Sequence, residues 1–150
     1  MQSVNRQQLS RLIAQILPNI IQGVHMGFLA TQSLTHTQFF VLIAIHSQGR
    51  CTMQQLADKM HVSMPTMSGI IERLVVARYV ARVENPDDRR QVVIELRKEG
   101  KDLIAQFQEA VSNRWSDVLQ ALNAEEIKTM AAILGKIGTS LLKKGGPSDV

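Results

Sequence analysis

The sequence is poor in the residues that build disulfides, metal centres and catalytic sites. One cysteine among 150 residues excludes an internal disulfide and any metal site that needs several cysteines. Four histidines are scattered without metal-ligand spacing, at positions His25, His36, His46 and His61. The chain has no glycine-rich phosphate loop, no nucleophile elbow and no cluster of carboxylates. These absences argue against an enzyme or a metal-sensing regulator. We therefore expect the protein to bind no metal and no cofactor.

Charged side chains are also sparse, at 20% of the chain, and they leave a basic balance. Lysine plus arginine number 17 against 13 for aspartate plus glutamate, which gives a net charge of +4. A basic chain can bind nucleic acid because neutralised phosphates release counterions, although many chains of this charge bind nothing acidic. Apolar residues make up 45%, enough for the core of one domain, alone or with an oligomerisation element.

No targeting or membrane segment is predicted. The N-terminus lacks the basic, apolar and small-residue pattern of a signal peptide. The longest apolar stretch, residues 16–29, is interrupted by polar residues and is too short to span a bilayer. These two observations predict a soluble cytoplasmic protein.

Long amphipathic helices are predicted at both ends of the chain, over residues 4–31 and 98–144. In the first helix, apolar residues recur every three or four positions: Leu9, Leu12, Ile13, Ile16, Ile20, Val24 and Phe28. Pro18 removes a helical hydrogen bond, so we expect a bend there, with the helix resuming at Asn19. The second segment divides near Leu122, where Asn123 can cap a last helix. Such wide apolar stripes predict dimerisation helices, and a two-fold dimer matches palindromic DNA.

The central segment, residues 35–97, reads as a winged helix-turn-helix. Hydroxyl caps followed by glutamine at the third helical position start helices at Thr35 and Thr52, and Gly49 ends the first of them. The helix-turn-helix spans about 52–77 and the wing about 79–97, where apolar residues alternate with period two around a charged turn. The fold class is therefore mainly α with a small β-hairpin wing, in a single domain over residues 1–150.

The second helix of this unit is the predicted recognition helix. Ser63 can cap it and Pro65 suits its first turn, while four apolar residues at helical spacing face inward: Ile70, Ile71, Leu74 and Val75. Small and hydroxyl residues at its leading edge can approach bases and phosphates: Ser63, Met64, Pro65, Thr66, Ser68 and Gly69. The alternative explanation for this edge is ordinary helix capping, which applies to Ser63 in any case. Arg73, two turns on, binds a phosphate or braces the wing.

The turn at residues 85–90 is the predicted tip of the wing. Arg90 can enter the minor groove, and Asp88 can orient its guanidinium through a charge-assisted bond. Arg89 is the candidate for a phosphate contact. The alternative is a solvated hairpin tip, since this sequence forms a turn in any context.

Several motifs, in this order and spacing, make the chain resemble the MarR (multiple antibiotic resistance regulator) family over roughly residues 9–143. The most specific is the wing, where Asp88 and Arg90 match the family's Asp-x-Arg motif. Supporting fragments are Leu34-Thr35, Gln38-Phe39, Val41-Leu42, Gln55-Leu56-Ala57, Ile71-Glu72-Arg73-Leu74 and Lys98-Glu99-Gly100-Lys101. The resemblance implies a homodimeric transcription regulator that binds double-stranded DNA, commonly a repressor released by a small anionic or phenolic ligand.

The chain departs from the family pattern at a few positions. Arg78 replaces the usual glycine at the end of the recognition helix, which predicts either a strained helix end or an end of different shape, and Arg97 replaces the usual threonine after the second wing strand. The redox-sensing branch carries a reactive cysteine in the first helix, whereas Cys51 lies before the third helix and is expected to be buried and inert.

A small-molecule site is expected where the first helix meets the central module. Its candidate lining residues are His25, Met26 and Phe28. The sequence also leaves open a second function, a winged helix that contacts protein or RNA without recognising duplex DNA.

Overall fold

The computed structural model describes residues 5–144, except the side chains at positions 20, 21 and 142–144. Within this range lie six helices and three strands, in the order α1 (Arg6–Ala30), α2 (His36–Gln48), β1 (Arg50–Thr52), α3 (Met53–Met60), α4 (Met64–Val76), β2 (Val80–Glu84), β3 (Val92–Leu96), α5 (Lys98–Leu119) and α6 (Ala124–Lys144). The predicted start of the first helix at residue 4 and the predicted role of Ile20 lie outside the described part. The predicted fold class, mainly helical with a β-hairpin wing, is confirmed.

The chain forms two compact units, Met1–Val111 and Ser112–Val150, and the boundary falls inside α5. The first unit contains one apolar core, to which α2, α3, α4, the sheet and the start of α5 contribute. Its largest fully buried side chains are Phe39, Leu42, Ile45, Leu56, Met67, Ile71, Leu74, Ile94 and Ile104. This core fixes the helix-turn-helix and the wing relative to each other.

Side-chain caps set the starts of α2 and α3, as the sequence predicted. Thr35 Oγ1 accepts from Gln38 N at 3.2 Å, and Gln38 Oε1 accepts from Thr35 N at 2.9 Å. Thr52 and Gln55 form the same reciprocal pair at 3.2 and 2.8 Å. Gly49 ends α2 with a φ of 80°, which a residue without a side chain adopts without strain. These caps satisfy amides that the first helical turn leaves unpaired.

The sheet has three antiparallel strands in the order β1-β3-β2, whereas the sequence predicted only the two strands of the wing. The missed strand, β1, pairs Cys51 with Ile94 and Thr52 with Val93. Three residues are too few to show an alternating pattern, so its signal is absent from the sequence. Val93 and Ile94 on the central strand β3 are both buried although they point to opposite faces.

The buried face of α4 differs from the prediction at one position. Met67, Ile71 and Leu74 are fully buried, Ile70 is partly buried, and Val75, predicted to face inward, is 36% exposed. Spacings of four and three residues keep the three buried side chains within one narrow stripe, and Val75 lies beside it. The prediction for Val75 was therefore wrong, and Met67 takes its place in the core.

Helix α1 runs from Arg6 to Ala30 with Pro18 inside it, so the helix is not split there, and the bend expected at Pro18 stays a prediction. Its stripe is largely exposed, with Leu9, Leu12 and Ile16 each 49% accessible to solvent. The expectation that no stretch could span a bilayer needs correction, because an 18-residue window of α1 has a mean hydropathy of 1.3 and the helix is long enough. A helix that packs against another protein chain has the same length and composition.

The second unit is dominated by α6, which begins as predicted at Asn123. Asn123 Oδ1 accepts from the amides of Glu125 and Glu126 at 3.0 and 3.1 Å, and Glu126 Oε2 accepts from Asn123 N at 2.9 Å. The preceding helix, α5, ends at Leu119 rather than near Leu122. Half-exposed apolar residues follow one face of α6: Ile127, Ile133, Leu134, Ile137 and Leu141.

Candidate nucleic-acid interface

The start of α4 is held by hydroxyl groups and presents its leading edge to solvent. Ser63 has extended backbone and its Oγ accepts from Thr66 N at 3.3 Å. The same Oγ lies 2.8 Å from Thr66 Oγ1, so the two side chains share a second hydrogen bond. Ser63, Met64, Pro65 and Thr66 are all exposed. The predicted leading edge is therefore available for contact.

A tight left-handed turn joins α3 to α4. His61 adopts a φ of 53° and ends α3, while Val62 N donates to Ala57 O at 3.0 Å. Ala57 is 2% exposed, and its small side chain permits the two helices to cross closely. This arrangement is the helix-turn-helix unit.

The outer face of α4 carries few groups beyond its first turn. Ser68 and Gly69 are partly buried, and a Cβ atom added to Gly69 would meet no other atom within 4 Å. Arg73 is exposed, and its guanidinium makes no ion pair or side-chain hydrogen bond with any residue of the described range 5–144. Within the described residues no bond therefore joins Arg73 to the wing.

The end of α4 has the strained geometry that the sequence predicted for Arg78. This residue adopts a φ of 64°, which a side chain makes costly. Its amide donates to Val75 O at 3.0 Å and Tyr79 N donates to Leu74 O at 3.0 Å, so the last carbonyls of the helix are satisfied. The chain then enters β2 at once.

The wing tip is a compact turn held by backbone bonds. Asn85 N donates to Gln91 O at 2.8 Å, and Asp87 N donates to Asn85 Oδ1 at 3.1 Å. Asp88 Oδ1 accepts from the backbone amide of Arg90 at 3.1 Å, not from the guanidinium as expected. Asp88 therefore shapes the turn. The guanidinium groups of Arg89 and Arg90 are exposed and form no ion pair within residues 5–144.

His25 lies in a ring of aromatic side chains in the first unit. Its ring centroid is 5.4 Å from that of Phe39, 5.2 Å from that of Phe40 and 4.9 Å from that of His36. Burial, and then the nearby His36, lower the pKa of His25 below its usual value and so favour the neutral imidazole. Its Nε2 is buried and has no hydrogen-bond partner among the described residues.

An open depression of about 530 Å³ lies beside this histidine. It is lined by Leu17, Pro18, Gln22, His25, Met26 and His36. Phe28, predicted as a third lining residue, instead packs in the aromatic cluster, 5.3 Å from Phe107 between centroids. His36 was missed because its position in the capping sequence of α2 suggested only a helix start.

Cys51 is completely buried in β1, and its Sγ lies 2.8 Å from Gln48 Oε1. Burial raises the pKa of the thiol, against the smaller opposite influence of Lys59, and so disfavours the reactive thiolate. The expected burial of this cysteine is confirmed. Within the described residues there is no group of three or more His, Cys, Asp or Glu side chains that could hold a metal ion.

Comparison with known proteins places the central module in a described family. A profile described as "MarR family" matches residues 34–92. The HTH-type transcriptional regulator YsmB of Bacillus subtilis is 30% identical over 128 residues, which cover 83% of this chain and 86% of YsmB. The multiple antibiotic resistance protein MarR of Salmonella typhimurium is 28% identical over 112 residues, 74% of this chain and 78% of that protein. The HTH-type transcriptional repressor MdtR of Bacillus subtilis is 26% identical and covers 86% of this chain and 80% of MdtR.

Solved structures share the fold. The transcriptional regulator Tm0710 from Thermotoga maritima has a TM-score of 0.82 at 20% identity and covers 95% of this chain and 100% of its own. A point mutant of S. aureus MepR, solved bound to an oligodeoxyribonucleotide, has a TM-score of 0.66 at 23% identity, with 89% and 97% covered. At these sequence identities the structural similarity shows only that the fold is shared.

Proposed function

Since this chain belongs to the MarR family of transcriptional regulators, we propose that it acts as a homodimeric repressor that binds a pseudo-palindromic site in duplex DNA. The observation that carries the proposal is that one core holds both an exposed, capped helix and a basic wing tip. Within residues 5–144 the arginines of this tip form no ion pair. Its curated relatives are named regulators and not enzymes. MdtR is named a repressor and MepR was solved with an oligonucleotide, which supports both parts of the proposal.

In this proposal the two parts of the module have different tasks. Helix α4 enters the major groove with the leading edge formed by Ser63, Met64, Pro65, Thr66, Ser68 and Gly69. Arg73 contacts a phosphate. On the wing, Arg90 enters the minor groove and Arg89 binds a phosphate, while Asp88 holds the backbone of the turn. The module over residues 35–97 is thus the DNA-binding part of one regulator that spans residues 1–150 and functions in the cytoplasm.

The helices at the two ends of the chain supply the dimer interface in this proposal. Helix α1 and helix α6 each carry an apolar stripe that their own unit leaves largely exposed. A second copy of the chain would cover such stripes, and two-fold symmetry would present two copies of α4 about one turn of the duplex apart, roughly 34–36 Å.

Removal of the Arg90 side chain tests the DNA-binding proposal. Arg90→Ala should weaken binding about tenfold or more and reduce the salt slope by about one, because the DNA loses one positive charge that displaces its counterions. Binding is measured by gel shift with the DNA upstream of the chain's own gene, at several salt concentrations, with poly-dI·dC as competitor. Lys128→Ala, which removes an exposed positive charge on α6, is the matched control and should bind like wild type.

Two results would count against this reading. An unchanged affinity in Arg90→Ala would exclude Arg90 from the mechanism. A wild-type chain that retards no duplex even at low salt would favour the other candidate, a winged helix that contacts protein or RNA.

The depression beside His25 is the proposed site of a small anionic or phenolic effector that releases the DNA. His25 and His36 offer imidazole nitrogens there, and Met26 and Leu17 offer apolar contact. Phe28 supports the site from the aromatic cluster behind it. An anion bound beside His25 would favour the protonated ring and so would raise its lowered pKa.

This linkage gives the effector site a pH dependence with a definite sign. Because binding of an anion promotes proton uptake by His25, affinity for benzoate or salicylate should rise as pH falls from 7.5 toward 6, within about a unit of the ordinary histidine pKa. The measurement is the ligand-induced shift of the thermal midpoint at both pH values. His25→Phe should weaken the pH dependence, although His36 still lines the depression, and His46→Phe, which alters an exposed histidine outside it, should leave the pH dependence unchanged. Equal shifts at both pH values in wild type would contradict this assignment.

A further inference from the structure

The first two turns of the recognition helix lack the side chains that usually read bases. Residues 63–71 contain no Arg, Lys, Asn, Gln, Asp or Glu, and the first long polar side chain of α4 is Glu72. Bidentate hydrogen bonds to guanine or adenine come from Arg, Lys, Asn and Gln. Direct readout at the leading edge must therefore use another kind of contact.

Ser63 and Thr66 carry two of the three hydroxyl groups at this edge and are hydrogen-bonded to each other, while the third, on Ser68, belongs to a partly buried residue. Ser63 Oγ accepts from Thr66 N and shares a 2.8 Å hydrogen bond with Thr66 Oγ1. These bonds hold the helix start, since the Ser63 side chain satisfies an amide of the first turn. The methyl group of Thr66 takes part in no such bond and is the part of this exposed side chain left for a partner.

Two exposed apolar side chains precede Thr66 in the first turn of α4. Met64 is 41% exposed, and Pro65 is also exposed, whereas Met67 one turn later is completely buried. Further along the outer face, Gly69 offers bare backbone with open space above it. An exposed methionine and proline beside a bare backbone form a leading edge that is apolar and permits close approach.

One apolar group is presented by base edges in the major groove, the C5-methyl group of thymine. We infer that α4 selects its DNA sites chiefly by contact of Met64, Pro65 and the Thr66 methyl group with thymine methyl groups. This inference rests on the proposed function and adds to it the chemical basis of sequence choice.

The proposed contacts divide affinity and specificity between two parts of the module. The guanidinium groups of Arg89 and Arg90 on the wing, together with that of Arg73 farther along α4, supply the charge that makes binding salt-dependent. The leading edge of α4 supplies no charge before Glu72. Substitutions at the wing should change the salt dependence of binding but not the preference for thymine. Substitutions at Thr66 should change the preference for thymine but not the salt dependence.

Deoxyuridine provides the direct test, because it pairs like thymidine and lacks only the methyl group in the major groove. Duplexes are first selected from a random-sequence pool with the full-length chain, and the best duplex is remade with deoxyuridine at single thymidine positions and at all of them. Affinity should fall about fourfold for each contacted methyl, the factor that corresponds to removing one buried methyl group. The sensitive positions should repeat symmetrically in the two half-sites.

A matched pair of variants assigns the effect to Thr66. Thr66→Ser keeps the hydroxyl and its bond to Ser63 but removes the methyl group, so one thymine position per half-site should lose its preference over deoxyuridine. Thr66→Val keeps a methyl group and removes the hydroxyl, so the preference should persist whatever the overall affinity. Arg90→Ala should bind more weakly with an unchanged ratio between the two duplexes.

The outcomes separate this inference from the proposed function. A chain that selects a duplex but binds its fully deoxyuridine-substituted form with unchanged affinity would overturn methyl readout and leave the proposed function intact. Loss of the thymine preference in Thr66→Val together with its retention in Thr66→Ser would likewise overturn it. A chain that selects no duplex at all would refute the proposed function and this inference with it.

Discussion

Two residues with positive φ bracket the recognition helix, and neither is glycine. His61, with a φ of 53°, ends α3 two residues before the cap of α4, and Arg78, with a φ of 64°, follows the end of α4. A side chain in this region costs roughly 1–2 kcal/mol because its Cβ atom approaches the backbone. The direction in which the chain enters and leaves α4 is therefore set by two strained residues, held in place by the core beneath them.

The strain at Arg78 gives a prediction at this scale. Arg78→Gly should raise the free energy of unfolding by about 1 kcal/mol, since glycine relieves the left-handed strain but loses more entropy on folding. The urea midpoint and slope measure this. Arg78→Ala keeps the Cβ atom and removes only the exposed charge, so it should remain close to wild type. Equal changes in the two variants would assign the effect to charge rather than backbone strain.

At the scale of elements, the first turn of α5 packs closely against the start of β2. Arg97 N donates to Tyr79 O at 2.9 Å, and Gly100 is buried beside the same carbonyl group. A Cβ atom at Gly100 would overlap Tyr79 O and lie 3.1 Å from Leu96 Cδ2. This glycine is therefore required for close approach of a helix to backbone.

Two glycine-to-alanine substitutions test whether this contact limits the structure. Gly100→Ala should lower the free energy of unfolding by about 2 kcal/mol, because backbone must move to admit a methyl group in a packed site. Gly69→Ala, in the interior of α4 with no neighbour near its added atom, should raise it by up to about 1 kcal/mol through helix propensity. Urea unfolding monitored by circular dichroism gives both values. If both variants were stabilised, the proposed overlap at Gly100 would be wrong.

At the scale of the whole molecule, the main feature is apolar surface that a single chain leaves in water. Leu12 and Ile16 on α1 are each 49% exposed, and Ile133 and Leu134 on α6 are 51% and 54% exposed. Each buried side chain of this size contributes roughly 1.5–3 kcal/mol when it is removed from water. Such continuous stripes on long helices favour association with a second copy.

The oligomeric state tests this directly. The wild-type chain should sediment as a dimer at micromolar concentration. Ile133→Asp combined with Ile137→Asp places two charges one turn apart on the apolar face of α6 and should shift the chain to single subunits. Lys136→Glu changes an exposed charged residue of the same helix and should remain dimeric. A stable wild-type monomer at this concentration would contradict the proposed interface and the two-fold recognition that depends on it.

The sequence by itself determined the local features of this protein. The caps at Thr35, Thr52, Ser63 and Asn123 are recognisable because their bonds join residues only two or three positions apart. The turn at residues 85–90 is equally local. Helical spacing also identified most of the core, and the order of these elements identified the winged helix.

The tertiary structure alone decided the features that depend on distant residues. Strand β1 exists because β3 offers it a pairing edge. Met67 rather than Val75 enters the core because α2 and α3 fix the rotation of α4. The rings of His25 and His36 contact each other, although no periodic pattern in the sequence links these two positions. Contacts of this kind arise from packing between elements, and a pattern read along one chain does not contain them.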